Sequence, residues 1–382
     1  MILEKFNYSE YTDKPNAWSL DGLDLENINL LVGKNATGKT NTLLRILWLS
    51  RVLAGKQPQL YDIGNYVVEF THNNIVYLYK LNLLSYNVEY EELFINGEQQ
   101  FKRGNDGIGE IFADELGKKI KFQLSPNQLV VTSKRDAIQH PFLEELVKWA
   151  EGLRKYNFGS DMGKNALRVV SDINSITVDP SDPNSAMILY YKGEQEFPET
   201  FPKLIIDAME SIGYELNSIK VNPLSSHLLP TDVGGGTGFV LCVREKNSST
   251  DVSQHFISQG MFRALSLIIQ ITYNTLKKLS TTILIDDIGE GLDFDRSTKL
   301  IKLLVDLAEK DNNIQLIMST NDRYVMNKVP FKYWQLIDRI GGKCRVYNYH
   351  NSKEIFDEFK YTGLNNFDFL ATDFIHAEWE QT

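Results

Sequence analysis

The 382-residue chain is short of several things, and each shortage excludes a class of protein. It has two cysteines, Cys242 and Cys344, 102 positions apart and outside any metal-ligand spacing. A disulfide framework is excluded, and the pattern fits a reducing cytosol. With only six histidines, also scattered, there is no HNH nuclease set, protease triad or zinc site. No apolar run approaches the ~18 residues of a membrane span, and the start MILEKFNYSEYTDK lacks the basic and apolar regions of a secretory signal. The expectation is a cytoplasmic protein without a membrane partner. Positive charge is in deficit, 40 Lys+Arg against 50 Asp+Glu, for a net charge of −10. That argues against sequence-independent nucleic-acid binding over the whole surface and leaves a local basic patch open. Flexible Gly/Ser or Pro linkers, repeats of 20 to 50 residues and sustained heptads are all missing, which excludes tethered modules, solenoids and a long coiled coil.

What is there is an alternation of strands and helices long enough for two or three domains, or for one large α/β domain with an insertion. Residues 1–8 and 28–32 read as strands, 39–54 as an apolar helix, and 65–95 as antiparallel strands with a hairpin. A polar stretch with Gly104, Gly107 and Gly109 follows, and 128–136 reads as a further strand with its exit loop. From about Pro141 the pattern turns helical (142–156, 201–216), with a loop-rich stretch around 178–186. Strand 238–245, helix 260–279, strand 282–286, helix 296–310 and strand 314–319 then imply a mainly parallel sheet covered on both faces. The division expected is 1–135 and 235–350 as two parts of one core, 136–234 as a mainly helical insertion, and 351–382 as a tail.

Directly after an apolar strand and before a helix stands Gly33-Lys34-Asn35-Ala36-Thr37-Gly38-Lys39-Thr40-Asn41. Gly33, Gly38, Lys39 and Thr40 match the phosphate-binding loop in the context it requires. Its glycines let the backbone curl around phosphates, its N–H groups and helix N-terminus face the anion, Lys39 bridges the β and γ phosphates of ATP, and Thr40 binds Mg²⁺. Such a loop needs a carboxylate at a neighbouring strand end, and hydrolysis needs a group that orients water. The segment TTILIDDIGEGLD offers Asp286 for the metal and Asp287 as catalytic base. The glycine-rich string 232–239 lacks a following Lys and helix, so it reads as a loop before a strand.

At this point the chain resembles ATP-binding-cassette-type ATPases of the SMC, Rad50 and OLD group, most closely their short OLD-like relatives (AAA_15/AAA_21), over roughly 1–135 and 235–335. The opening KFNYSEY running into INLLVGKNATGKT is similar to the group's start, including Asn35. FISQGMFRALSLI resembles the signature motif, with Ser258 and Gly260 as its residues and Arg263 as the basic residue after them. Gly260 precedes Asp286 by 26 residues, and GEGLD, ending in Asp293, resembles the D-loop. The fold implied is a P-loop ATPase of this type, α/β, with a mixed sheet, antiparallel N-terminal strands and a helical insertion. The resemblance implies two protomers packed head to tail, ATP lying between the Walker residues of one and Ser258 and Gly260 of the other. It further implies an effector partner, a nuclease or toxin in anti-phage defence.

Two positions depart from the group. Asp287 stands where Glu is usual, one methylene shorter, and Asn321 stands where His is common; Asn can donate a hydrogen bond to a γ-phosphate but cannot carry a proton. Both point to slow turnover and a persistent ATP-bound dimer. Glu290 is an alternative acid. The Q-loop residue stays unassigned, with Gln128, Lys134 and Arg135 in the plausible region. Too few residues follow Asn321 for the nuclease domain of OLD-type proteins. An ATP-gated scaffold and a DNA-repair clamp head remain as alternative functions. The tail from Ser352 has seven acids against two bases and many aromatics, among them Phe356, Phe359, Phe369, Phe374 and Trp379. It reads either as packing onto the parent domain or as a docking site.

Overall fold

The computed structural model describes residues 1–12, 14–57, 59–165, 168–170, 182, 185–223, 237–279 and 281–377. The string 232–236 and tail residues Glu378, Trp379 and Glu380 lie outside the described residues. Two compact units are present: Met1–Leu153 with Ser280–Leu284 and Ala308–Thr382, and Arg154–Leu279 with Ile285–Leu307.

The first unit is built on β1 (Ile2–Glu10), β2 (Trp18–Asp24), β3 (Ile28–Val32), α1 (Lys39–Leu53), β4 (Ile63–His72), β5 (Ile75–Leu84), β6 (Asn87–Ile95), β7 (Glu98–Arg103), β8 (Ile108–Ala113), β9 (Lys118–Gln123), the single turn α2 (Val130–Ser133) and α3 (Pro141–Gly152). The second unit follows with β10 (Arg154–Asn157), β11 (Arg168–Val170), α4 (Ala186–Glu196), α5 (Phe201–Ser211), β12 (Leu216–Pro223), β13 (Thr237–Glu245), β14 (Val252–Ser253) and α6 (Gln259–Leu276). β15 (Thr281–Asp286) and α7 (Phe294–Lys310) each contribute to both units. The chain ends in the first unit with β16 (Ile314–Ser319), α8 (Arg323–Lys328), β17 (Trp334–Ile340), β18 (Lys343–Tyr347), α9 (Lys353–Lys360), α10 (Asn366–Ala371) and α11 (Phe374–Ala377). No helix among the described residues is long and apolar enough to cross a membrane.

The first unit's strands run in the order β15-β16-β3-β17-β18-β2-β1-β4-β5-β6-β7-β8-β9. β3 is buried along its whole length between parallel neighbours β16 and β17, whereas β4 to β9 are consecutive antiparallel hairpins. α1 buries Leu43, Ile46, Leu49 and Leu53, and it packs on α3. α3 thereby belongs to this unit, so the break between units falls at Leu153 rather than near 135. A buried polar chain pins the centre: Trp149 Nε1 donates to Thr282 Oγ1 (3.0 Å), Thr282 to Gln315 Oε1 (3.2 Å), and Gln315 Nε2 to the Leu3 carbonyl (2.7 Å). Such a chain fixes strand order because every buried member needs its partner.

Three stretches differ from expectation. The polar segment around Gly104 and Gly109 is strand-rich, β7 to β9. One face carries the alternating-charge pairs Glu92↔Lys102, Lys102↔Glu110 and Glu110↔Lys121, and the other buries Leu93, Phe101, Ile111 and Phe122, with Leu93↔Phe101 and Phe101↔Ile111 in register. Residues 130–133 are a helical turn and not the expected strand. Its Val130 and Val131 N–H groups are taken by the buried Glu91 carboxylate at 2.6 and 3.3 Å, an acid that burial pushes up to about 7. The third is 201–216, where the helix stops at Ser211, Gly213 turns the chain at φ 92°, and β12 starts at Leu216.

In the second unit β11, β13 and β12 form an antiparallel sheet with β14 on β13, so the segment read as mainly helical also carries strands. α4 and α5 pack on α6, and Phe201 lies between Tyr190 and Tyr273, at ring distances of 5.8 and 6.2 Å. The tail packs on the first unit. Phe356, Phe359 and Phe369 are buried around Phe331 and Trp334, and the Phe356 and Phe369 rings stack at 4.9 Å. Of the two readings of the tail, packing is the one these residues follow.

Candidate functional site: a phosphate loop and a signature helix

The first unit carries the phosphate loop between β3 and α1. Gly33 (φ 153°) cannot be replaced without collision, because a Cβ there would lie 2.5 Å from the Ile337 carbonyl oxygen. Gly38 (φ 106°) is the N-cap of α1, and it supplies the left-handed turn that leads the loop into the helix. The first turn of α1 has no acidic residue and no side-chain cap, so its N-terminal N–H groups keep their attraction for an anion. Lys39 is 7% exposed, with its ammonium donating to the carbonyls of Gly33 (2.7 Å) and Lys34 (3.1 Å). Thr37 Oγ1 closes the loop onto Lys34 O at 2.9 Å. Lys34, Asn35, Ala36 and Thr40 are exposed along the rim, and Asn41 is half-buried. The back of the loop is braced by Cys344 Sγ on Thr37 O (3.2 Å) and Arg339 Nη1 on Ala36 O (3.0 Å). Asn321 follows the end of β16, whose Ser319 is in register with Leu31 of β3, so it emerges exposed beside the loop. Its neighbour Asp322 caps α8.

The second unit carries Asp286, Asp287 and the segment 258–263. Asp286, 4% exposed, ends β15, and the Phe158 N–H donates to its carbonyl at 2.9 Å. The Lys155 ammonium lies 3.9 Å from the Asp286 carboxylate and donates to Asn157 Oδ1 at 2.7 Å. Asp287 has φ 56°. Asp tolerates the left-handed region better than most residues, since its short side chain can hydrogen-bond locally, which rationalises Asp where a longer acid is usual.

Ser258 is the N-cap of α6, its Oγ accepting from the Met261 N–H at 3.2 Å, and the residue is exposed. Gly260 must be glycine because a Cβ there would lie 2.8 Å from the Gly291 carbonyl oxygen. Arg263 ties three segments together: Nε to Ser160 O (2.7 Å), Nη2 to Gly159 O (2.6 Å) and Nη1 to Glu290 O (2.8 Å). Glu290 turns its carboxylate toward Gly159, where an added Cβ would lie 2.6 Å from Oε2. Asp293 accepts from the Arg296 N–H at 3.0 Å at the start of α7, and that bond holds its carboxyl below the usual range.

Of the residues singled out in the sequence, 33–41 and Asn321 lie in the first unit and Asp286, Asp287, Ser258, Gly260 and Arg263 in the second. Sequence reasoning missed Lys155 and the segment Asn157–Ser160, because four-residue β10 is too short to show a period. Gln128 is exposed in a first-unit turn with its Oε1 on the Ser125 N–H. Arg135 is engaged with Glu144 at 2.8 Å, and Lys134 lies over Phe122.

Comparison with known proteins agrees with these features. Residues 28–327 match the AAA_21 family, described as "AAA domain, putative AbiEii toxin, Type IV TA system". The DNA replication and repair protein RecF of Streptococcus uberis (strain ATCC BAA-854 / 0140J) is 22% identical over 327 residues, 77% of this chain and 86% of that protein. An SMC head solved bound to the C-winged helix domain of ScpA has a TM-score of 0.53 at 13% identity, over 91% of this chain and 97% of that one. The SMC head domain from Thermotoga maritima gives 0.46 at 11% identity, over 91% and 99%. The chain therefore belongs to the AAA_21 family, and its fold is that of an SMC-type ATPase head.

Proposed function

We propose that this protein binds Mg-ATP, pairs head to tail with a second copy around it, and hydrolyses it slowly, so that the nucleotide acts as a switch for a partner effector. The observation that carries the reading is the buried Lys39 ammonium, held on the Gly33 and Lys34 carbonyls of a loop between β3 and α1 whose Gly33 and Gly38 take positive φ. These residues fit the nucleotide: Gly33 to Asn41 for the phosphates, with Thr40 and Asp286 assigned to magnesium. Magnesium supplies charge neutralisation between the β and γ phosphates when bound. Exposed Ser258 at the start of α6 is assigned to the γ-phosphate of the other copy. Asp287 is assigned to orient water, with Asn321 donating to the γ-phosphate; neither matches the reach or proton capacity of Glu and His. The family description names a putative AbiEii toxin and a type IV TA system, which supports a toxin-system setting; the output assigned is an effector, a nuclease or toxin in anti-phage defence. A second reading, a head acting on DNA, is favoured by the RecF relative; it requires DNA affinity that falls steeply with salt.

Single-turnover hydrolysis tests the assignment. The wild-type protein is expected to turn over fewer than about one ATP per second, and Asp287→Asn to slow that by about 100-fold or more. Equal rates would favour a scaffold gated by ATP binding alone, and many ATP per second would refute the slow switch.

A further inference from the structure

The exposed rim of the phosphate loop is held by the end of the described chain. The Lys34 ammonium lies 3.1 Å from Asp373 Oδ2. Asp373 sits between α10 and α11 at φ 55°, in the left-handed region that Asp tolerates better than most residues. Its neighbours fix it further. His376 Nδ1 is 3.0 Å from Asp373 Oδ1, and His376 Nε2 is 3.2 Å from Asp338 Oδ2 on β17. Ile375 is buried, and Phe374 sets its ring against Phe359 and Phe369 at 5.1 and 5.7 Å. Arg339, next to Asp338, holds the Ala36 carbonyl of the same loop. A carboxylate is therefore posted on the loop's outer lysine, anchored by packing on one side and by His376 on the other.

We propose that Thr372–Ala377 is an acidic latch on the phosphate loop, and that latch engagement and ATP binding oppose each other. The proposal rests on the ATP reading above and adds a control to it. Bringing a triphosphate to the loop sets its negative charge against the Asp373 carboxylate, and Lys34 can satisfy only one of them well. A ligand shifts an equilibrium by its differential affinity for the two states, and the coupling is reciprocal. ATP then releases the latch, and weakening the latch tightens ATP. Because the Lys34–Asp373 pair is solvent-exposed, the effect is modest, about threefold to tenfold in affinity.

The test compares binding of a non-hydrolysable ATP analogue to the full-length wild-type protein, Asp373→Asn and His376→Gln. Asp373→Asn is expected to bind about threefold to tenfold tighter at low salt, with the gain shrinking near about 0.5 M salt, and His376→Gln to shift the same way by less. In the wild type, the analogue should speed amide exchange across 366–377. Unchanged or weaker binding by Asp373→Asn, or slower exchange in that segment with analogue, overturns the latch. A wild-type protein that binds no analogue refutes the ATP reading itself, a different result from normal binding that ignores Asp373.

Discussion

Replacing Lys39 with Ala is expected to lower ATP affinity by at least about 30-fold and to bring hydrolysis to background. The ammonium is nearly buried and already points into the loop, on the Gly33 and Lys34 carbonyls. Truncating one member of a buried, charged hydrogen-bond pair costs about 2–5 kcal/mol, and each 1.4 kcal/mol or so is about tenfold in affinity. The Lys34 carbonyl lies on the loop's exposed rim while that of Gly33 is buried, so the fold of the variant is checked separately. Isothermal titration with ATP and Mg²⁺ reads the change, and an unchanged thermal midpoint without nucleotide shows that the variant is folded. Wild-type affinity in the Lys39→Ala protein would remove the phosphate loop from the account.

The second large effect is structural. Phe369 is fully buried and contacts Phe331, Trp334, Phe356, Phe359 and Phe374. Removing an aromatic ring from such a cluster costs about 3–5 kcal/mol, through lost transfer energy and the cavity left behind. Phe369→Ala should lower the unfolding free energy by that amount in urea denaturation, whereas exposed Tyr361 should tolerate Ala at a few tenths of a kcal/mol, on the order expected for surface sites. A loss below about 1 kcal/mol at Phe369 would mean that the tail aromatics serve something other than packing.

The same contrast between local and distant causes explains what could be read in advance. Gly33, Gly38, Lys39 and Thr40 were legible because strand, loop and helix follow one another within a few residues. Ser258 was legible from the local Ser-x-Gly pattern before a helix, which it caps by accepting from the Met261 amide three residues on. Glu91 was not, since the helical turn that it caps begins 39 residues later. β7 to β9 were read only as a polar stretch because their charged face dominates the sequence, while the apolar face is thin, with Phe101, Ile111 and Phe122 spread over three six-residue strands. The strand β10 was missed beside the end of β15, and with it Lys155 near Asp286. Lys34 and Asp373 stand 339 residues apart, and nothing local marks either as the other's partner. The tail's acids also take on different work: Asp368 closes a capping box with Asn365, Asp357 pairs with Lys360, and Asp373 meets Lys34.

The central claim is that ATP joins two copies through Ser258 and Gly260, and sedimentation of the Asp287→Asn protein measures it most directly. Slowed hydrolysis should let the ATP-bound state persist, so saturating Mg-ATP is predicted to double the mass from one chain to two. Ser258→Arg, whose larger charged side chain fills the exposed start of α6, should bind ATP yet stay at one chain. An Asp287→Asn protein that binds ATP and remains a single chain at every concentration tested would contradict the account.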